Sequence, residues 1–131
     1  MAIPARRNRW GPLEEAGRPA LRTFFRIAGA WDLSVEEQMT LLGLGSRSTY
    51  FKWKKEGTDR LSADLLERLS YIFGIYKSLH ILLPDGALAD RWLRTPNTGE
   101  LFGGKAPLER LLSGRIADLY VVRTYLDGER G

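Results

Sequence analysis

The sequence has no cysteine and a single histidine, His80. Without thiols the chain can form no disulfide, carry no thiolate nucleophile and build no cysteine-based zinc site. His80 falls on an apolar stretch with no second histidine or close carboxylate cluster nearby in sequence. Such a residue is far more often part of a core or an interface than a metal ligand, so we expect no metal ion. We also expect no cofactor and no small-molecule substrate.

Long apolar runs are missing as well. The sequence has no stretch of about 18 apolar residues without charges, and its start lacks the apolar region of a secretion signal. It also lacks a Gly-rich phosphate loop between a strand and a helix, and a pair of carboxylates that can be placed at one site. These absences predict no membrane partner, a cytoplasmic location and no enzymatic activity.

Positive charge is concentrated in the first half of this 131-residue chain, which is long enough for at most two small modules. Residues 1–60 carry 11 Lys and Arg against 7 Asp and Glu, whereas residues 61–131 carry 9 of each kind. A basic module joined to a neutral one is typical of a DNA-binding protein with a further protein partner. Residues 1–17 are predicted to be a flexible basic arm that either enters a minor groove or is an ordinary loose terminus, and its cationic residues are Arg6, Arg7 and Arg9.

Two short helices joined by a tight turn are indicated between Ser34 and Gly57. Ser34 is a natural N-cap for a helix over about 35–42. Gly43 sits where that helix must end and reverse, because a residue free to adopt positive φ is needed there. Ser46 can cap the next helix. The turn is therefore specified by local chemistry.

The second of these helices has one cationic face. Tyr50 and Trp53 lie three residues apart and therefore point the same way, inward. With a bracing helix predicted over 18–30, the pattern is that of a helix-turn-helix DNA-binding domain over residues 18–60. The outward side chains are Arg47, Ser48, Phe51, Lys52 and Lys55.

The run from Leu42 to Lys54 resembles the Xre-type helix-turn-helix, in which a Gly-containing turn precedes a recognition helix that ends in an aromatic and basic pair. It departs from the common pattern by the additional Gly45 and by Met39, where a small residue usually stands. The resemblance implies two sets of DNA contacts. Arg47, Ser48, Phe51 and Lys52 would face base edges, and Ser46, Thr49, Lys54 and Lys55 would face phosphates.

A long apolar helix is predicted from Ser62 to the residue before Pro84. It is apolar on more than one face and must therefore be covered on more than one side. We expect a second copy of the chain to cover one side and form a homodimer; the alternative is a central helix buried within one subunit. The predicted dimer contacts recur at spacings of 4, 3, 4, 3 and 4, and are Leu65, Leu69, Ile72, Tyr76, Leu79 and Leu83.

Shorter helices are predicted for the rest of the chain. A helix over about 87–95 and another that begins at Pro107 flank a loop. A last helix begins near Arg115 and is predicted to end at Gly128.

This half carries a series of short motifs in a fixed order: Trp92-Leu93, Pro96-Asn97, Phe102-Gly103-Gly104, Pro107-Leu108, Leu111-Leu112, Ser113-Gly114 and Tyr125-Leu126-Asp127. In order and spacing they resemble the toxin-binding domain of the Xre/MbcA/ParS antitoxin family. Together with the helix-turn-helix, the resemblance covers nearly everything after residue 18. It implies an all-α protein in which residues 61–131 form a helical dimerisation and toxin-binding domain.

Members of this family are antitoxins of type II toxin-antitoxin systems. The resemblance implies that the chain neutralises a cognate RES-domain toxin, which consumes NAD, by covering the active site of the toxin. It also implies binding to operator double-stranded DNA, by which the antitoxin represses its own operon. The implied toxin-facing residues are Trp92, Phe102, Gly103, Gly104, Pro107, Leu108, Asp127, Glu129, Arg130 and Gly131.

Two other functions stay open on the sequence alone. One is a dimeric helix-turn-helix transcriptional regulator without a toxin, which predicts binding only to itself and to DNA. The other is a protein-only inhibitor whose helix-turn-helix does not bind DNA. The additional Gly45 and the bulky Phe51 on the exposed face raise this second alternative.

Overall fold

The computed structural model describes residues 7–8, 11–12 and 17–131, with the side chains described from residue 17 onward. Two dipeptides pair as antiparallel strands, β1 (Arg7–Asn8) and β2 (Gly11–Pro12). The other regular elements of the described residues are helical, which confirms the predicted all-α class. The side chains of the predicted basic arm, Arg6, Arg7 and Arg9, lie outside the described residues. The helices are α1 (Gly17–Ala30), α2 (Val35–Leu42), α3 (Arg47–Glu56), α4 (Ala63–Leu82), α5 (Gly86–Arg91), α6 (Pro107–Leu111) and α7 (Ile116–Arg130), with a 3-10 turn (Trp92–Arg94) after α5.

Caps fix the two helices of the helix-turn-helix within the predicted boundaries. The Ser34 hydroxyl accepts a hydrogen bond from the Glu37 amide at 3.0 Å, and the Glu37 carboxylate accepts one from the Ser34 amide at 2.9 Å. This capping box starts α2. Gly43, at φ 66°, ends α2 in the left-handed region that glycine adopts without strain. The Ser46 hydroxyl then accepts from the Thr49 amide at 3.2 Å and starts α3.

The 20-residue helix α4 is the centre of the core. It packs most extensively against α7 and also contacts α1, α2 and α5. Its buried apolar side chains belong to one continuous apolar cluster that includes residues from both halves of the chain. Despite the length of α4, no helix of the described residues is long and apolar enough to span a membrane.

The predicted dimer contacts on α4 are largely inside the chain. Tyr76 and Leu83 are half-buried, so part of each side chain remains available to a second copy. The other four are covered by neighbouring helices of the same chain, which corrects their assignment to a dimer interface and favours the alternative of a helix buried within one subunit. These four residues are Leu65, Leu69, Ile72 and Leu79.

Helix α7 runs further than the sequence predicts. Gly128 does not end it, and the helix continues through Arg130. A glycine inside a helix costs only about 1 kcal/mol, and side chains hold the last turn against α4. The Ser78 hydroxyl donates to Asp127 Oδ1 at 2.9 Å, and Arg130 Nη1 donates to the Ser78 oxygen at 3.3 Å.

Two glycines of α1 provide a matched test of how this helix packs against the backbone at Thr58. A Cβ atom added to Gly17 would lie 2.3 Å from the backbone oxygen of Thr58, whereas one added to Gly29 would meet nothing within 4 Å. We expect Gly17→Ala to lower the free energy of unfolding by about 2 kcal/mol, because the backbone at Thr58 has to move. Gly29→Ala should raise it by about 0.5 kcal/mol, because alanine is the better helix former. Urea denaturation measures both, and equal stability of the two variants would contradict the packing of α1 against Thr58.

Candidate functional site

A buried hydrogen-bond chain joins the two helices of the helix-turn-helix. The Tyr50 hydroxyl donates to Gln38 Oε1 at 2.6 Å, and Gln38 Nε2 donates to the Leu33 carbonyl oxygen at 3.0 Å. All three residues are buried, so these hydrogen bonds hold α3 at a defined angle to α2. The sequence pattern identifies Tyr50 as inward-facing but misses Gln38. Its place three residues before Leu41, on the apolar side of α2, is the signal that could have found it.

The exposed side of α3 brings together most of the predicted DNA contacts. We call these residues the α3 face. Phe51 is 48% exposed, which leaves much of its ring available to a partner. The α3 face consists of Arg47, Ser48, Phe51, Lys52, Lys54 and Lys55.

The other two predicted DNA contacts, Ser46 and Thr49, are half-buried and lie at the first turn of α3. The Ser46 hydroxyl, which caps the helix, also shares a hydrogen bond with the Ser48 hydroxyl at 3.0 Å. The N-terminal end of a helix carries a partial positive charge and favours anions. These two residues therefore lie at the end of α3 that favours an anion.

Lys54 is oriented differently from the other lysines of the α3 face. Its ammonium nitrogen lies 5.8 Å from the ring centre of Phe25 on α1 and 6.0 Å from that of Tyr50. Both distances are within the range of cation–π attraction. Lys54 follows Phe51 by three positions and Arg47 by seven, so it lies on the same side of α3 as these residues. Its ammonium group, however, is directed toward Phe25 and Tyr50.

Arg47 is held by two neighbours. Its guanidinium carbon lies 5.6 Å from the ring centre of Phe51, and its Nη1 atom donates to the carboxylate of Glu36 on α2. Hydrogen bonds from the backbone amide of Glu36 itself and from Arg47 lower the pKa of that carboxyl group, so it is charged at neutral pH. The sequence pattern misses Glu36, because it is 11 positions from Arg47 and on a different helix.

Arg94, in the 3-10 turn, connects the second half of the chain to the helix-turn-helix. Its Nε atom donates to the Trp31 carbonyl oxygen at 3.2 Å. Its Nη2 atom donates to the Asp32 carbonyl oxygen at 2.7 Å and to the Glu37 carboxylate at 3.2 Å. Asp32 has a φ of 53°, which is uncommon for a residue other than glycine. The sequence pattern gives no sign of this contact, because the partners of Arg94 are 57 to 63 positions away.

Several residues predicted to face the toxin are core residues instead. Phe102, Pro107 and Leu108 are buried. The Phe102 ring packs edge-on against Trp92 at 5.7 Å and against Tyr125 at 5.6 Å between ring centres. This corrects the assignment of Phe102, Pro107 and Leu108 as direct contacts, because their side chains support a surface rather than form it. Trp92 is half-buried at the edge of the group.

The remaining predicted toxin-facing residues are exposed. Gly103 and Gly104 have φ values of 58° and 85° in a tight loop. The Gly104 amide donates to the Asn97 carbonyl oxygen at 2.8 Å, which closes the loop. An exposed loop of glycines in this conformation allows another protein backbone to approach closely. The other exposed residues, at the end of α7, are Asp127, Glu129, Arg130 and Gly131.

An open cavity of about 430 Å³ lies beside the glycine loop. In its wall the Asp118 carboxylate accepts hydrogen bonds from Ser113 Oγ at 2.6 Å, Arg110 Nε at 3.0 Å and Arg115 Nε at 3.2 Å. The bond from Ser113, with those from Arg115 and Arg110, lowers the pKa of Asp118 although partial burial opposes the shift. The cluster ties the end of α6 to the first turn of α7. The described residues contain no group of three or more His, Cys, Asp or Glu side chains that could hold a metal ion.

Comparison with known proteins agrees with this arrangement. Residues 14–74 match the family model of the antitoxin Xre-like helix-turn-helix domain, and residues 78–131 match that of the antitoxin Xre/MbcA/ParS C-terminal toxin-binding domain. The chain belongs to the Xre-type antitoxin family. This antitoxin is 50% identical over 111 residues to the uncharacterized protein y4oB of Sinorhizobium fredii (strain NBRC 101917 / NGR234). The aligned residues make up 85% of this chain and 84% of y4oB. The family predicted from the motifs is therefore confirmed.

The Asp118 cluster predicts how acid affects the antitoxin. Because the pKa of Asp118 is lower in the folded chain than in the unfolded one, its contribution to stability is fully present above about pH 4 and is lost as pH falls through the folded value. We expect Asp118→Asn to lower the free energy of unfolding at neutral pH by about 2 kcal/mol and to make stability less dependent on pH below about 4. Denaturation at a series of pH values measures this. Ser113→Ala keeps the carboxylate but removes the hydrogen bond that lowers its pKa most, so this variant should lose part of the pH dependence. An unchanged profile in Asp118→Asn would contradict the assignment.

Proposed function

We propose that this antitoxin neutralises a cognate RES-domain toxin by covering its NAD-binding active site, and that it binds operator DNA to repress its own operon. The observation that carries the proposal is that one core supports both an exposed cationic recognition helix and a toxin-binding domain. Neither activity requires chemistry by this chain. We therefore propose that it is not an enzyme, needs no cofactor and acts in the cytoplasm.

The α3 face supports the DNA-binding half of the proposal. Helix-turn-helix proteins place the N-terminal residues of the second helix against base edges in the major groove. Here those residues include the exposed Arg47, Ser48 and Phe51, and the exposed Lys52 and Lys55 follow. Because buried hydrogen bonds already fix α3 against α2, docking on DNA requires little further ordering of the protein.

The glycine loop and the end of α7 support the toxin-binding half. A cleft that binds NAD holds phosphates and a ribose, so a segment with an exposed carboxylate can compete for it by shape and by charge. Glu129 and Arg130 supply adjacent opposite charges at the exposed end of α7. Because α7 is helical through Arg130, the proposed contact with the cleft is made by a helix end.

We also propose that the antitoxin acts as a homodimer. A two-fold symmetric protein matches the symmetry of a palindromic operator. With most of the apolar side chains of α4 covered by their own chain, the contact would use the half-buried Tyr76 and Leu83 and the exposed Ile81. All three lie toward the C-terminal end of α4.

Co-expression tests the whole proposal. A tagged antitoxin is produced together with the product of the adjoining gene, and the molar mass of the purified species is measured by size exclusion with light scattering. A complex whose mass requires both proteins supports the proposal and gives the stoichiometry. A homodimer without a second protein favours the regulator that has no toxin. A complex without salt-dependent affinity for operator DNA favours the protein-only inhibitor.

The two activities should be separable by mutation. We expect the double variant Arg47→Ala, Lys52→Ala to bind operator DNA at least about tenfold more weakly, because a base contact is lost, and to neutralise the toxin as before. The matched control is Arg26→Ala, Lys77→Ala, which removes the same charge from exposed positions of α1 and α4. Fluorescence anisotropy at several salt concentrations measures the affinity. Equal loss of both activities in the first variant would contradict the existence of two separate surfaces.

Truncation after Leu126 should have the opposite effect. It removes residues 127–131, and we expect inhibition of NAD consumption by the toxin to be lost while operator binding persists. The control is Ser78→Ala, which keeps those residues but removes the hydroxyl that contacts Asp127 and Arg130.

The two variants together identify the inhibitory element. Full inhibition by the truncated chain would show that the end of α7 is not needed. Loss of inhibition both in the truncated chain and in Ser78→Ala would show that residues 127–131 inhibit the toxin only when the end of α7 is held against α4.

A further inference from the structure

Three side chains on α3 and α2 form a connected set. Arg47, the first residue of α3, and Phe51, about one turn later, lie on the same side of the helix. The Arg47 guanidinium is close to the Phe51 ring and is paired with Glu36. The side chains of Arg47 and Glu36 are 57% and 72% exposed, so their ion pair contributes little to folding stability. The ion pair lies at the edge of the α3 face, where it can orient Arg47.

The set holds Arg47 in one orientation. Glu36 accepts from Nη1, and the Phe51 ring lies against the guanidinium. A guanidinium has five N–H donors in a planar fork, so enough donors remain for a bidentate contact with O6 and N7 of guanine. That contact is the commonest specific contact between proteins and DNA. An arginine that is already oriented loses less side-chain entropy when it binds.

Phe51 adds a second element of recognition. Its ring offers no hydrogen bond, but its exposed part fits an apolar group. The only apolar group on the major-groove edges of the four bases is the 5-methyl group of thymine. Because the guanidinium and the ring are neighbours, the bases that they contact must lie in neighbouring base pairs, about 3.4 Å apart along the helix axis.

Glu36 would be unfavourable on a DNA-facing surface if it had no partner, because phosphates repel a carboxylate. Paired with Arg47, it carries no net local charge and fixes the direction of the guanidinium. We propose that Arg47, Phe51 and Glu36 form one reading unit, in which Arg47 binds a guanine, Phe51 contacts the methyl group of a thymine in the adjacent base pair, and Glu36 positions Arg47. This inference rests on the proposed DNA binding and names the feature of the operator that the α3 face reads.

Removal of single groups from the DNA tests the contact of Phe51. Sites are selected from a random duplex library with the full-length antitoxin, and the thymine of the enriched step is replaced by deoxyuridine, which lacks only the 5-methyl group. Loss of one buried methyl group corresponds to about fourfold weaker binding. We expect this ratio for the unaltered antitoxin and for Lys52→Ala, which should weaken binding to both duplexes alike. Phe51→Ala, at an exposed position, should bind both duplexes equally.

The contact of Arg47 is tested with 7-deazaguanine, which lacks the N7 acceptor of guanine. We expect the unaltered antitoxin to bind the substituted duplex about tenfold more weakly, and Arg47→Ala to bind both duplexes equally. Glu36→Gln should discriminate less between them than the unaltered antitoxin does. Its overall affinity should not fall, because a negative charge is removed from beside the α3 face. Unchanged discrimination in Glu36→Gln would show that Glu36 does not position Arg47.

The outcomes separate this inference from DNA binding itself. Salt-dependent binding without an enriched guanine and thymine step, or with equal affinity for the thymine and uracil duplexes, overturns the reading unit and leaves the proposed DNA binding intact. An antitoxin that binds no duplex at any salt concentration overturns both.

Discussion

The burial of α4 is the constraint on which the rest of the structure depends. This helix contributes core side chains to the helix-turn-helix and to the toxin-binding domain, and both belong to one apolar cluster. The two family matches end at residue 74 and begin at residue 78, both inside α4. Neither domain therefore has a complete core without the helix that they share. The helix-turn-helix and the toxin-binding domain are therefore parts of a single folded unit.

Arg94 makes a second connection between the halves, of a different physical kind. Its guanidinium satisfies two carbonyl oxygens at the end of α1 and the carboxylate of Glu37, which is also part of the capping box of α2. The start of α2 therefore depends on a residue of the toxin-binding half. Because α2 in turn holds α3 through Gln38 and Tyr50, the position of the α3 face is determined by contacts from both halves of the chain.

The sequence predicts those features that neighbouring residues determine. Ser34, Gly43 and Ser46 act on groups within a few positions of themselves, so the ends of α2 and α3 follow from local chemistry. Periodicity shows that α4 is apolar on more than one face, but it does not identify what covers those faces. The covering helix is α7, and the Ser78 and Asp127 contact between them spans 49 positions. The partner of Arg47 is only 11 positions away, but it lies on a different helix and is not visible in the pattern of α3 either. The contacts of Ser78 with Asp127 and Arg130 also hold the last turn of α7, which continues past Gly128.

The positions inferred from a family resemblance are of two kinds. Some carry buried side chains that support a surface from below, and others carry exposed side chains that could contact a partner directly. Phe102 and Leu108 belong to the first kind, because a buried side chain affects a partner only through the loop that it supports. Substitution at such a position changes folding stability and binding together, so the result cannot separate the two. Gly103, Glu129 and the residues of the α3 face are exposed, and we propose that they belong to the second kind. A substitution at an exposed position of this kind changes contacts at the surface and leaves the shared core in place.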